Sequence, residues 1–60
     1  MFTIGDSVRI QGWRSVGQVV EIVTNNWDWE HPGPAYGVRM PEGMVWVPFA
    51  LQHLMWVPSR

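Results

Sequence analysis

The sequence predicts an all-β fold of five short strands, and three observations carry this. Its aliphatic residues are mostly β-branched, with nine Val and three Ile against two Leu and two Ala. Branched side chains favour the pleated backbone, whereas Leu and Ala favour helices. Six Gly and five Pro punctuate the chain, and no window of about ten residues both lacks a breaker and shows a helical period. Apolar and polar residues instead alternate in short runs bounded by turn residues.

Gly5-Asp6 reads as a turn, with the Asp6 side chain fixing the local backbone. The first strand follows over residues 7–11, where Val8 and Ile10 face inward and Arg9 and Gln11 face water. Residues 12–15, including Trp13, form a loop. The longest strand covers 16–24, and its alternation slips because Val19, Val20, Ile22 and Val23 cannot share one face. A bulge near Gly17 with Val20 and Ile22 inside is the expected resolution. Residues 24–34 make a long connection in which Pro32 and Pro34 deny a ladder. The third strand, 35–40, carries Tyr36, Val38 and Met40 on one face and Arg39 on the other. Pro41-Glu42-Gly43 closes a tight hairpin. The fourth strand, 44–47, turns Val45 and Val47 inward and Met44 and Trp46 outward. Pro48 opens one 3₁₀ turn over 49–51. The last strand, 54–57, is stopped by Pro58, and Trp56 is expected to join the core or close it.

The runs Gly5-Asp6-x-Val8-Arg9-Ile10, Gly17-x-Val19-Val20-Glu21-Ile22, Tyr36-Gly37-Val38-Arg39-Met40 and Gly43-x-Val45-x-Val47-Pro48, followed by Leu51, resemble an SH3-like small barrel. KOW, Tudor and type II dihydrofolate reductase domains share that architecture. The resemblance spans about residues 4 to 57 and implies one five-stranded barrel domain over 1–60, with the 3₁₀ turn before the last strand. It speaks to fold rather than function, because turn glycines and core valines serve any barrel of this shape. In the reductase family the pore wall carries a Val-Gln-Ile-Tyr stretch and a lysine. The matching place here reads Val45-Trp46-Val47-Pro48, and the chain has no lysine, which argues against that activity.

Other enzyme and cofactor chemistry finds few parts. There is no Cys or Lys, and Ser7, Ser15 and Ser59 lack a nucleophile-elbow context. His31 stands beside Asp28 and Glu30, too few hard ligands for a dedicated metal site, and the acids read as a solvated loop. No cofactor and no metal is expected, and the chain is read as a non-enzyme. Four Arg against five acids give a net charge of -1, which argues against a KOW-like nucleic-acid binder that neutralises phosphates. No apolar stretch is long enough for a membrane helix and no signal-peptide pattern leads the chain, so a cytoplasmic location is the default expectation.

Tryptophan is the informative excess, at five in 60 residues. A chain this small buries only about 60% of its extended surface, and each indole presents roughly 150–250 Å². Some of these rings must therefore face outward, where Trp and Arg are the usual hot-spot residues of interfaces. The expected function is a small binding or assembly module whose exposed Trp/Arg surface contacts protein, foremost a second copy. Its expected binding residues are Arg39, Met44 and Trp46 on the outer face of the third-to-fourth strand hairpin, with Trp27 and Trp29 from the long loop. The alternative is an aromatic recess of Trp27, Trp29 and Tyr36, beside Asp28 and Glu30, that reads a methylated amine or a proline-rich peptide. A further reading makes Trp27 or Trp29 a lid over an undersized core.

Overall fold

The structure, a computed structural model, describes residues 2–25 and 33–57. Within them lie five strands, β1 (Ser7–Ile10), β2 (Val16–Val23), β3 (Ala35–Met40), β4 (Gly43–Pro48) and β5 (Leu54–Trp56), with a 3₁₀ turn at Phe49–Leu51 between β4 and β5. All pair in one sheet of order β4-β3-β2-β1-β5, and every neighbouring pair is antiparallel. No α-helix occurs among the described residues. The all-β class stands. Among the described residues the sheet is not closed into a barrel, because β4 and β5 are both its edges.

The alternation of β1 is as expected, with Val8 and Ile10 buried and Arg9 exposed. The turn before it, Thr3 to Asp6, is tied down locally. The Thr3 N–H donates to the Asp6 carboxylate at 2.7 Å, and the Asp6 N–H donates to the Thr3 carbonyl at 3.1 Å. Asp6 is thus a turn-fixing residue. The Gly5 N–H then donates to the Val19 carbonyl at 2.8 Å, latching the turn onto β2.

The slip in β2 is resolved differently from the expectation. Val19 pairs with Val38 and Glu21 with Gly37, so the register shifts between them and Val20 is the extra residue. Val19 is fully buried, whereas Val20 is half-buried. One added residue resets the period-2 alternation, which lets Ile22, half-buried, return to the core side and pack against it. Gly17 is not the bulge. It is a point of close approach, because a Cβ there would lie 2.8 Å from the Arg39 carbonyl oxygen and 2.8 Å from Val38 Cγ1, and would strike Met40 Sδ.

β3 is the most enclosed strand. Tyr36, Val38 and Met40 are buried on the inner face and Arg39 is exposed on the other. The hairpin to β4 has residues 41–42 as its loop, since Met40 pairs with Gly43. Val47 is buried and Val45 is half-buried against the core, while Met44 is 47% exposed. Val8, Ile10, Val19, Tyr36, Val38, Met40 and Val47 form the core cluster, extended by Phe2, Ile22, Val45, Phe49 and Leu54.

Trp56 departs from its expected place. It pairs with Val8 and so shares the inner side of the sheet, yet it is 59% exposed. β5 is a three-residue strand at the edge of the sheet. Among the described residues no strand lies on that side to cover an indole, which instead leans on the Phe2 ring.

Candidate functional site

The predicted binding residues fall into three groups. Trp27 and Trp29 lie outside the described residues, as do Asp28, Glu30 and His31. Arg39, Met44 and Trp46 come together on the outer face. Arg39 pairs with Met44 across β3 and β4, and Trp46 pairs with Gly37 one step further along. The half-buried Trp46 ring lies close over that glycine, since a Cβ at Gly37 would be 3.0 Å from Trp46 Cζ3, 3.1 Å from Glu21 Cβ and 3.2 Å from Met44 Cε. The absent side chain of Gly37 is what seats the indole on the sheet. Tyr36 belongs to neither group, because it points to the inner face and is 6% exposed.

Tyr36 is instead the centre of an aromatic run that the sequence reading missed. Its ring stacks on Phe49 with centroids 4.1 Å apart and planes 20° apart. Phe2 meets Tyr36 edge to face at 5.5 Å and 90°, and Trp56 lies against Phe2 at 4.4 Å. The Phe2 N–H donates to the Tyr36 hydroxyl oxygen at 3.2 Å, which fixes the N-terminal segment over the inner face. Phe2, Tyr36 and Phe49 wall a recess of about 300 Å³ whose lining is completed by Val47, Pro48, Gln52, His53 and Leu54. That volume is at the lower end of ligand pockets.

The recess exists because of how the chain leaves β4. Pro48 starts the 3₁₀ turn, and the Phe49 N–H donates to the Pro34 carbonyl at 3.0 Å. Gln52 ends the turn in the left-handed region at φ 54°, with its N–H donating to the Phe49 carbonyl at 3.1 Å. It is the one positive-φ residue other than glycine among the described residues. Such a conformation is costly for a side-chain-bearing residue, and it clusters at functional sites. Here it turns the chain so that Gln52 and His53 line the recess before β5 begins. The Gln11 N–H then holds the His53 carbonyl at 2.7 Å.

Among the described residues no Asp, Glu, Lys or Arg lines this space. Its described lining suits an apolar or aromatic group, with Gln52 and His53 available for hydrogen bonds. Among the described residues no cluster of three His, Cys, Asp or Glu could hold a metal, and no helix is long and apolar enough to cross a membrane. Sequence signals for this site were weak. Phe2 precedes β1 outside any periodic run, and Phe49 reads from the sequence only as part of a short turn. Comparison with family models, curated proteins and solved structures finds no match to this chain.

Proposed function

We propose that the chain is an SH3-like barrel that works as a small non-catalytic binding module for a protein partner, taking an uncharged aromatic or aliphatic side chain into the recess between β4 and β5. The strand order and the 3₁₀ turn joining the two edge strands support the barrel reading. One observation carries the function: a recess walled by stacked rings, with no Asp, Glu, Lys or Arg in its described lining and a 59% exposed indole next to Phe2 at its side. Large apolar surface left open on a small domain marks an interaction site, and Trp is the commonest anchor of such sites. The test is titration of the protein with N-acetylphenylalanine amide, followed by NMR. Shifts concentrated on Phe2, Phe49, His53 and Leu54 support the reading. An unchanged spectrum at millimolar ligand overturns it.

A second reading keeps the outer face as a contact between copies of the chain. It is favoured by the exposure of Met44 and Arg39 directly beside an indole already packed over Gly37, since a side chain placed before binding loses less freedom on binding. Sedimentation at micromolar concentration decides it, and a clean monomer removes it. Here Trp46→Ala is expected to weaken association by roughly 2 kcal/mol or more.

A further inference from the structure

We infer that β5 is a docking edge: an extended peptide of a partner protein pairs with the outward backbone groups of Leu54 and Trp56 and places one large uncharged side chain in the recess. This rests on the recess being a binding site and adds the form of the partner. The hydrogen bonds of β5 fix which of its residues face outward. The Val57 N–H donates to the Ser7 carbonyl at 3.1 Å, and the His53 carbonyl accepts from the Gln11 N–H. In an antiparallel ladder alternate residues point their N–H and C=O to the same neighbour. Residues 53, 55 and 57 therefore face β1, and Leu54 and Trp56 turn their backbone groups to the open edge of the sheet.

Three further observations fit that edge to a peptide. Leu54 supplies both an outward backbone and a wall of the recess, so a paired strand would run along the opening. Edges are blunted by shortness, charge, Pro or a bulge; β5 is short at three residues, but Leu54, Met55 and Trp56 set no charge, Pro or bulge against a pairing strand. β4 offers less at the recess, because its last residue is Pro48, which has no N–H to give. Strand addition with alternate side chains entering pockets is an established way for a sheet edge to read a peptide. The described lining holds no Asp, Glu, Lys or Arg to pair with a charged side chain, and a space of about 300 Å³ holds one large ring rather than a folded surface.

The probe is an acetylated, amidated heptapeptide of alternating Thr and Val with a central Phe, titrated into the whole chain. Two variants are N-methylated on alternate residues, one on each edge of the peptide strand. Pairing predicts that one variant loses about tenfold in affinity, the factor carried by one or two backbone hydrogen bonds, while the other binds as the parent does. It also predicts slowed amide exchange at Leu54 and Trp56 with Met55 unchanged. Replacing the central Phe by Glu should lose at least as much. If both N-methylated peptides bind like the parent, strand pairing is overturned and the recess reading stands. If N-acetylphenylalanine amide shifts the recess but the heptapeptide does not bind, strand pairing again falls alone. If neither ligand binds, both readings fall. A free protein that dimerises through protected Leu54 and Trp56 amides makes the occupant a second copy and overturns the peptide proposal.

Discussion

Adding one methyl group at Gly17 should damage this protein far more than adding one at Gly37, although both glycines are buried in neighbouring strands. At Gly17 the new Cβ would sit 2.8 Å from the backbone oxygen of Arg39 and 2.8 Å from Val38 Cγ1. Arg39 lies in the central ladder and Val38 is fully buried, so neither can step aside. Overpacking of a tight core costs about 1–3 kcal/mol, and two fixed neighbours put Gly17→Ala at about 3 kcal/mol. The entropy removed from the unfolded chain returns only about 0.4–1 kcal/mol. At Gly37 the neighbours are 3.0 to 3.2 Å away, and one of them is the mobile end of Met44. A shift of a few tenths of an ångström relieves the contact, so Gly37→Ala should cost within about 1 kcal/mol after the same entropic gain. A chain of this length has about 3–9 kcal/mol of stability in total. Gly17→Ala should therefore lower the melting temperature by about 10 °C or more. Urea unfolding followed by tryptophan fluorescence measures both variants on one scale. A Gly17→Ala midpoint equal to that of the parent, or a Gly37→Ala midpoint as low as that of Gly17→Ala, would refute the packing argument.

Tyr36→Phe should cost about 1 kcal/mol, because it removes the acceptor of the part-buried Phe2 N–H, and thermal denaturation by circular dichroism reads it. Asp6→Ala should cost about 1 kcal/mol by freeing the Thr3 N–H and loosening the turn on β2. Amide exchange at Gly5 and Val19 should rise with it, and unchanged exchange there would show that the turn holds without the carboxylate. Ser15→Ala should change the unfolding free energy measured in urea by no more than about 0.5 kcal/mol, since the Ser15–Glu42 contact is exposed.

The strands were legible because their signals are local. The alternation of Val8, Arg9 and Ile10, the run from Tyr36 to Met40 and the turn at 41–42 each sit within a few residues. The bulge was legible as a conflict among valines but not as a position. Placing it required knowing that β3 presses on Gly17, a contact between residues far apart in sequence. The aromatic run was illegible for the same reason. Phe2 and Tyr36 meet across a separation of 34 residues, and Phe49 reaches Tyr36 only after the hairpin has folded back. Neither meeting leaves a period or a motif. Trp56 was misplaced because a strand seen in sequence carries no mark of whether another strand lies beyond it.

The fate of the indoles moves the weight of the functional reading from one face of the sheet to the other. Trp46 already has a structural task, since its ring lies over Gly37 and is half-buried before any partner arrives. Truncating it removes that covering as well as any contact, so a loss of binding there is mixed with a loss of fold. Trp56 is different. At 59% exposed, it retains roughly 90–150 Å² of indole surface to bury, worth about 2–4 kcal/mol, which is the size of an interface hot spot. Its place on an uncapped strand, leaning on the ring that walls the recess, means that this surface and the recess can be covered by the same partner. Trp56→Ala should consequently reduce ligand affinity by tenfold or more while lowering stability by only about 1 kcal/mol, the worth of one ring pair. Equal losses in calorimetric binding and in urea midpoint would return Trp56 to the core and leave the outer face as the better candidate.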